Sequence, residues 1–158
     1  MRVCIISDTH GNMSKVTHYL EENLNFFDEI WHLGDFIKDV EQLKLKIGRP
    51  VVAIKGNCDF YQSGPEEVIR EIDGKRVLLC HGHHHSVKSS LMNLYYYAVQ
   101  QNVDVVCFGH THIPVNEREA GILFFNPGSA AIPRAGFRAS VGIMEFGRGR
   151  VVATHVHL

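Results

Sequence analysis

The chain has no C-x-x-C pair, no long basic run, and no apolar run near the roughly 20 residues of a membrane span. The first absence argues against a structural cysteine–zinc site. The second, with a formal net charge of −1, argues against a phosphate-backbone footprint, so a long nucleic-acid duplex is not an expected partner. The third leaves no membrane expectation. The opening "MRVCIISDTHG" has one Arg and lacks a small-residue cleavage pattern, so it reads as a first strand and not a secretory leader. Of four cysteines, Cys4, Cys80 and Cys107 fall inside apolar runs. They read as buried reduced thiols, which suits a cytoplasmic location.

What is present points to one domain over residues 1–158 with a real core: 45% apolar and 21% charged residues. "RVCIIS" (2–7), "EIWHL" (29–33) and "PVVAIK" (50–55) read as buried strands. Between them, helical spacing runs from Ser14, a candidate cap, to about Asn25, and again over 37–47. This β-α-β-α-β order implies a parallel sheet with right-handed crossovers. Residues 66–72 and 76–80 flank Asp73-Gly74, a hairpin signal. A helix is expected over 87–101 and a strand over 103–108, then four short strands with turns at Gly121 and 147–149. The fold class is α/β (α+β): two sheets with helices outside.

Eleven histidines are many for this length, and their placement is not random. "SDTHG", "LGDF", "GNCD", "LCHGH" and "FGHTH" each follow an apolar run and carry a glycine. Their candidate ligands are Asp8, His10, Asp35, Asn57, His81, His110 and His112, with Asp59 and His83 beside them. Open α/β sheets place ligands at strand ends. One D-x-H or H-x-H means little; a series at successive strand ends points to a metal site. Carboxylates, an amide and imidazoles without thiolates suit manganese, iron, nickel or zinc. Seven ligands exceed the needs of one ion, so two ions sharing a carboxylate are expected. Such pairs, roughly 3.5–4 Å apart, hydrolyse phosphate esters with hydroxide formed from bound water.

In order, D-x-H, G-D, G-N-x-D, H-G-H and G-H-T-H resemble the calcineurin-like metallophosphoesterase superfamily. The H-G-H and the closing "NPGS...PR" (126–134) are similar to its small YfcE-type phosphodiesterase branch. The resemblance spans residues 2 to about 146 and implies a sandwich of two mixed sheets flanked by helices. It implies one ion held by Asp8, His10, Asp35 and His112. A second is held by Asp35, Asn57, His81 and His110, with Asp35 as the bridge. It further implies two divalent ions, manganese favoured, and a small-molecule phosphate ester substrate. A phosphodiester is cleaved by the bridging hydroxide, with Asn57 and the histidines, His110 among them, stabilising phosphoryl charge. Alternatives are a phosphomonoesterase of the same fold and a non-catalytic scaffold similar to a retromer subunit.

Many relatives carry histidine at the position of Cys58. A thiol cannot supply an imidazolium's reach or charge, so Cys58 reads as a loop residue near the chemistry but not essential to it. Asp59 would orient a histidine or fix the loop. His83 either lines the pocket or not, while His84 and His85 read as exposed loop residues. His32 reads as a core histidine. "NPGSAAIPR" reads equally as a phosphate-binding turn or a structural one, and Arg134 could reach a phosphate oxygen. Tyr95, Tyr96 and Tyr97 cannot all face one side of a helix, which leaves a subunit contact, and hence a homo-oligomer, open.

Overall fold

A computed structural model describes residues 1–158 as two five-stranded sheets packed face to face with three α-helices outside. In the first sheet β1 (Arg2–Ile6), β2 (Glu29–His32) and β3 (Val51–Ala53) run parallel. The helices α1 (Ser14–Asn23) and α2 (Asp39–Ile47) make the two crossovers. The second sheet holds β4 (Glu67–Ile72), β5 (Lys75–Cys80), β6 (Val105–Cys107), β7 (Pro114–Glu119) and β8 (Ile122–Pro127), with α3 (Met92–Gln100) between β5 and β6. Its order is β4-β5-β6-β8-β7, and β5, β6 and β8 are parallel. The chain then returns to the first sheet as β9 (Ser140–Gly147) and β10 (Arg150–His157), which complete the order β10-β9-β1-β2-β3.

The period-two alternation of the strands divides the core. Val3 and Ile5 of β1 face the other sheet and meet Val77, Leu79, Val105, Cys107 and Phe125. Cys4 and Ile6 point outward against Val16, Leu20, Leu43 and Ile47 of α1 and α2. On the far side Leu78, Cys80 and Val106 meet Leu94 and Ala98 of α3. The three strand-like cysteines are buried and reduced. No helix is long and apolar enough to cross a membrane.

Three turns pair successive positive φ values: Asp73-Gly74 (51° and 73°), Ala120-Gly121 (47° and 88°) and Arg148-Gly149 (53° and 69°). That is the backbone required by a two-residue hairpin whose twist matches its strands. Other boundaries differ from the sequence reading. Ser14 does not cap α1; Asn12 Oδ1 instead accepts the Ser14 Oγ hydrogen bond at 2.9 Å. Residues 83–85 form a 3-10 turn, the chain turns again over 86–89 with Ser86 left-handed at φ 54°, and α3 starts only at Met92. Of the three tyrosines, Tyr96 is exposed, while Tyr95 and Tyr97 pack against the core.

His32 is buried, and its polar partners fix its tautomer. Gly34 N–H donates to Nδ1 at 3.3 Å, so Nε2 carries the proton and lies 3.1 Å from Thr9 Oγ1. Thr9 in turn donates to Asp39 Oδ2 at 2.6 Å. Burial lowers the His32 pKa from 6.5 to about 4, against the opposing charge of Asp39. The unfolded chain therefore takes up this proton below pH 6.5, and the fold only near pH 4. Stability should fall as pH drops across that window, with His32 contributing about 3 kcal/mol. Urea unfolding of metal-free protein at several pH values checks this. The His32→Gln variant should show a shallower pH slope.

Candidate metal centre

The carboxyl ends of the parallel strands β1, β2, β3, β5 and β6 deliver the polar clusters to one end of the sandwich. Asp8 and His10 follow β1, Asp35 follows β2, Asn57 follows β3, His81 follows β5, and His110 and His112 follow β6. Donor atoms of Asp8, His10, Asp35 and His112 all lie within 4.8 Å of one another. A second group, Asp35, His81 and His110, meets the same limit and shares Asp35 with the first. Asn57 Oδ1 lies 3.2 Å from His81 Nε2, at the edge of the second group.

The backbone bends sharply to achieve this. Asp8, His10, Asp35, His110 and His112 all have positive φ, between 46° and 67°. Left-handed backbone is uncommon outside glycine and gathers at functional sites. Two glycines permit the close approach. A Cβ on Gly56 would overlap the Asp35 backbone nitrogen and Oδ1, and one on Gly109 would overlap Ser7 Oγ.

The donors also face one another with the wrong complement of protons. His81 Nδ1 lies 2.7 Å from the Leu33 carbonyl, and His112 Nδ1 lies 2.6 Å from the Ile132 carbonyl. A carbonyl only accepts, so each Nδ1 carries the proton and each Nε2 turns a lone pair inward. There His81 Nε2 meets Asp35 Oδ1 at 3.3 Å and His112 Nε2 meets Asp8 Oδ1 at 3.2 Å. His10 Nε2 lies 3.3 Å from His112 Nε2. Asp8 Oδ1 and His110 Nδ1 are buried and receive no hydrogen bond. Such facing lone pairs favour a shared proton or a metal ion between them.

The proton affinities say the same. Burial pushes the His81 pKa down, but Asp35 and Asp8 outweigh it and raise the value above 6.5. The Asp8 carboxylate facing Nε2 raises that of His112 against burial. Burial pushes Asp35 up, yet His81 and the Cys58 N–H hold its carboxyl well below the ordinary range. Metal-ligating histidines ordinarily direct one nitrogen to a carbonyl in this way, and the donor set fits divalent metal ions.

Surrounding groups fix the loops. Asp59 Oδ1 accepts the N–H groups of Phe36 (3.0 Å) and Ile37 (2.9 Å), and Oδ2 accepts Gly56 N–H (2.9 Å). It therefore locks the Asp35 loop to the Asn57 loop and does not touch a histidine. Two bracing residues were not singled out from sequence. Asp39 accepts from Thr9 and from Gly11 N–H (3.0 Å), holding the β1 loop. Asn126 Nδ2 donates to the Gly109 carbonyl (2.9 Å) and to Thr111 Oγ1 (3.0 Å), holding the His110 loop. The "NPGS" turn is structural. Gly128 N–H bonds Asn126 Oδ1, and Ala131 and Ile132 N–H bond Ser129 Oγ, so these donors face inward. Arg134 Nε bonds the Thr111 carbonyl at 3.3 Å and braces the same loop.

Cys58 lies over Asp35: its N–H donates to Oδ1 at 2.9 Å and its thiol to Oδ2 at 3.3 Å. Burial and the Asp35 charge push the thiol pKa up to about 11, so it stays protonated at neutral pH. His83 is half-buried, with its ring centroid 5.3 Å from that of His81. His84 is exposed, but His85 is half-buried against Tyr97, unlike the exposed loop residue expected. A cleft of about 390 Å³ is lined by His81, His83, His85 and Tyr97 among others. Larger clefts of about 470 and 520 Å³ contain none of the candidate ligands.

Residues 1–149 match the calcineurin-like phosphoesterase superfamily domain. The chain is 35% identical over 144 residues to a probable metallophosphoesterase, YsnB, of Bacillus subtilis, covering 91% of this chain and 83% of that one. It is 34% identical over 170 residues to the phosphodiesterase YfcE of Escherichia coli, covering 92% and 88%. Among solved structures, a predicted phosphoesterase of Streptococcus pneumoniae superposes with TM-score 0.83 and 25% identity, covering 99% and 88%. Vps29 of Entamoeba histolytica in complex with zinc shares the fold, with TM-score 0.79 and 23% identity over 99% of both chains. The chain therefore belongs to the calcineurin-like phosphoesterase superfamily.

Proposed function

We propose that the chain is a dinuclear metal-dependent phosphodiesterase. The observation that carries this reading is the pair of donor groups sharing Asp35. Asp8, His10, Asp35 and His112 would hold one divalent ion, and Asp35, Asn57, His81 and His110 the other. When bound, such ions supply positive charge to the phosphoryl oxygens and lower the pKa of water, with manganese favoured and nickel, zinc and iron as alternatives.

The chain's own residues supply the positioning. Asp8 and Asp35 are buried carboxylates that draw cations to the sandwich end. Asn57 is half-exposed and turns Oδ1 toward His81; its Nδ2 gives one hydrogen to Cys58 Sγ at 3.6 Å and keeps the second for a phosphoryl oxygen. His110 lies beside His81, ring centroids 5.0 Å apart, and its backbone N–H is fixed to Asp8 Oδ2 at 3.1 Å. In hydrolysis the oxygen of water forms the new bond to phosphorus as the bond to one ester oxygen breaks; of the two water protons one ends on the leaving alkoxide or phenolate and the other on the phosphate product or solvent.

Cys58 donates its thiol proton to Asp35 and brings no charge to the phosphoryl group. A diester carries one negative charge fewer than a monoester, which suits a site without the histidine found at this position in many relatives. Cys58→Ser preserves the bond to Asp35 and should keep kcat/KM for bis(4-nitrophenyl) phosphate within about threefold, less than 1 kcal/mol. Cys58→His should raise turnover of 4-nitrophenyl phosphate relative to the diester. A Cys58→Ser enzyme dead towards diesters would overturn this role.

The same two esters, assayed with manganese, nickel, zinc and iron in turn, test the function. Diester cleavage supports the proposal, and monoester cleavage alone makes the chain a phosphomonoesterase. Absence of both, with every metal, favours a scaffold role, which the shared fold with Vps29 structures also accommodates.

A further inference from the structure

The cleft beside His81 has, apart from His81 itself, a lining that phosphoryl chemistry does not use. His83 lines it, and its Nδ1 is buried without a hydrogen-bond partner. Further out, Tyr97 Oη donates to Glu67 Oε1 at 2.5 Å, and the ring of His85 packs on that of Tyr97 with centroids 4.7 Å apart. Glu66 forms the opposite wall, its two oxygens facing Lys55 at 3.5 Å and His84 at 3.2 Å. The lining contains two carboxylates and no lysine or arginine.

We propose that this cleft receives one ester arm of the substrate and that the arm carries an ammonium group, making the substrate class a phosphodiester of an amino or quaternary-ammonium alcohol. The inference rests on the phosphodiesterase reading. A cation between an aromatic pair and a carboxylate gains both ring-face attraction and Coulomb attraction. An anionic arm is repelled by Glu67, and a neutral arm gains neither. The Tyr97 bond holds the Glu67 carboxylate beside the rings before any ligand arrives. His83 Nδ1, next to His81 in the lining, is the unpaired polar atom that would meet the ester end of the arm.

The test uses 4-nitrophenyl phosphorylcholine, a zwitterion, and 4-nitrophenyl 3,3-dimethylbutyl phosphate, whose arm is the neutral carbon isostere of choline, with metal-loaded protein. Wild type should favour the ester with the cationic arm in kcat/KM by about tenfold. Glu67→Gln should bring that ratio towards one. Tyr97→Phe, which keeps the ring, should retain more of it than Tyr97→Leu. A second readout needs no turnover. In amide NMR spectra of metal-free protein, choline should shift Glu67, His85 and Tyr97, and 3,3-dimethylbutanol should not. Equal cleavage of both esters, or no choline shifts, overturns the inference while leaving the phosphodiesterase standing. Cleavage of neither ester, nor of bis(4-nitrophenyl) phosphate, overturns both.

Discussion

Asp35→Asn should lower kcat/KM for bis(4-nitrophenyl) phosphate by about 10³-fold, the equivalent of about 4 kcal/mol of transition-state stabilisation. Asp35 is the one residue common to both donor groups, so losing its charge weakens both at once. Its two oxygens face different histidines: Oδ1 lies 3.3 Å from His81 Nε2, and Oδ2 lies 3.7 Å from His10 Nε2. The substitution isolates charge from shape. Asparagine tolerates the φ of 60° at this position better than other residues, and its carbonyl still accepts the Cys58 N–H. Metal-free variant and wild type should therefore unfold cooperatively at similar temperature, while steady-state kinetics separate them. Full activity in Asp35→Asn would remove Asp35 from its shared role.

Gly56→Ala should have the largest effect on folding. The added methyl would overlap the backbone nitrogen and Oδ1 of Asp35, and neither can swing aside as the tip of a flexible side chain could. Asp59 Oδ2 also ties Gly56 N–H to the loop, which limits retreat. Overpacking of this kind costs about 1–3 kcal/mol, and for a chain of this length Tm should fall by roughly 5–10 °C. Metal affinity should fall as well, because Asp35 is what the methyl displaces. Gly147→Ala is the control: nothing lies within 4 Å of its added Cβ, and its φ is not positive. It should stay within about 0.5 kcal/mol of wild type by thermal or urea unfolding. Equal stability of the two variants would contradict the packing described at Gly56.

The parts of the molecule that sequence discloses are those governed by local rules. Val3, Cys4, Ile5 and Ile6 announce a strand buried on both faces, and both faces are indeed covered, by the second sheet and by α1 and α2. Asp73-Gly74 announces a turn because few other pairs take two positive φ values. The ligand candidates were legible because each polar pair interrupts an apolar run beside a glycine. The start of α3 was not. Leu91, Leu94, Tyr95 and Ala98 keep helical spacing, but nothing in that period says that the chain first makes a 3-10 turn at His83 and a left-handed residue at Ser86. Asp39 was hidden for a different reason. An acidic residue in the first turn of a helix ordinarily answers the helix dipole, so its reach to Thr9 and Gly11 was invisible without the tertiary structure. Asn126 sits in a turn that reads equally as phosphate-binding or structural, and only its bonds to Gly109 and Thr111 reveal a brace for the His110 loop.

Elemental analysis of metal bound per chain, after saturation with manganese and removal of free ion, tests the central claim most directly. The account predicts close to two ions per wild-type chain, from two donor groups that share Asp35, and fewer in Asp35→Asn. A wild-type chain that holds no more than one ion at saturation, or an Asp35→Asn chain that still holds two, would contradict it.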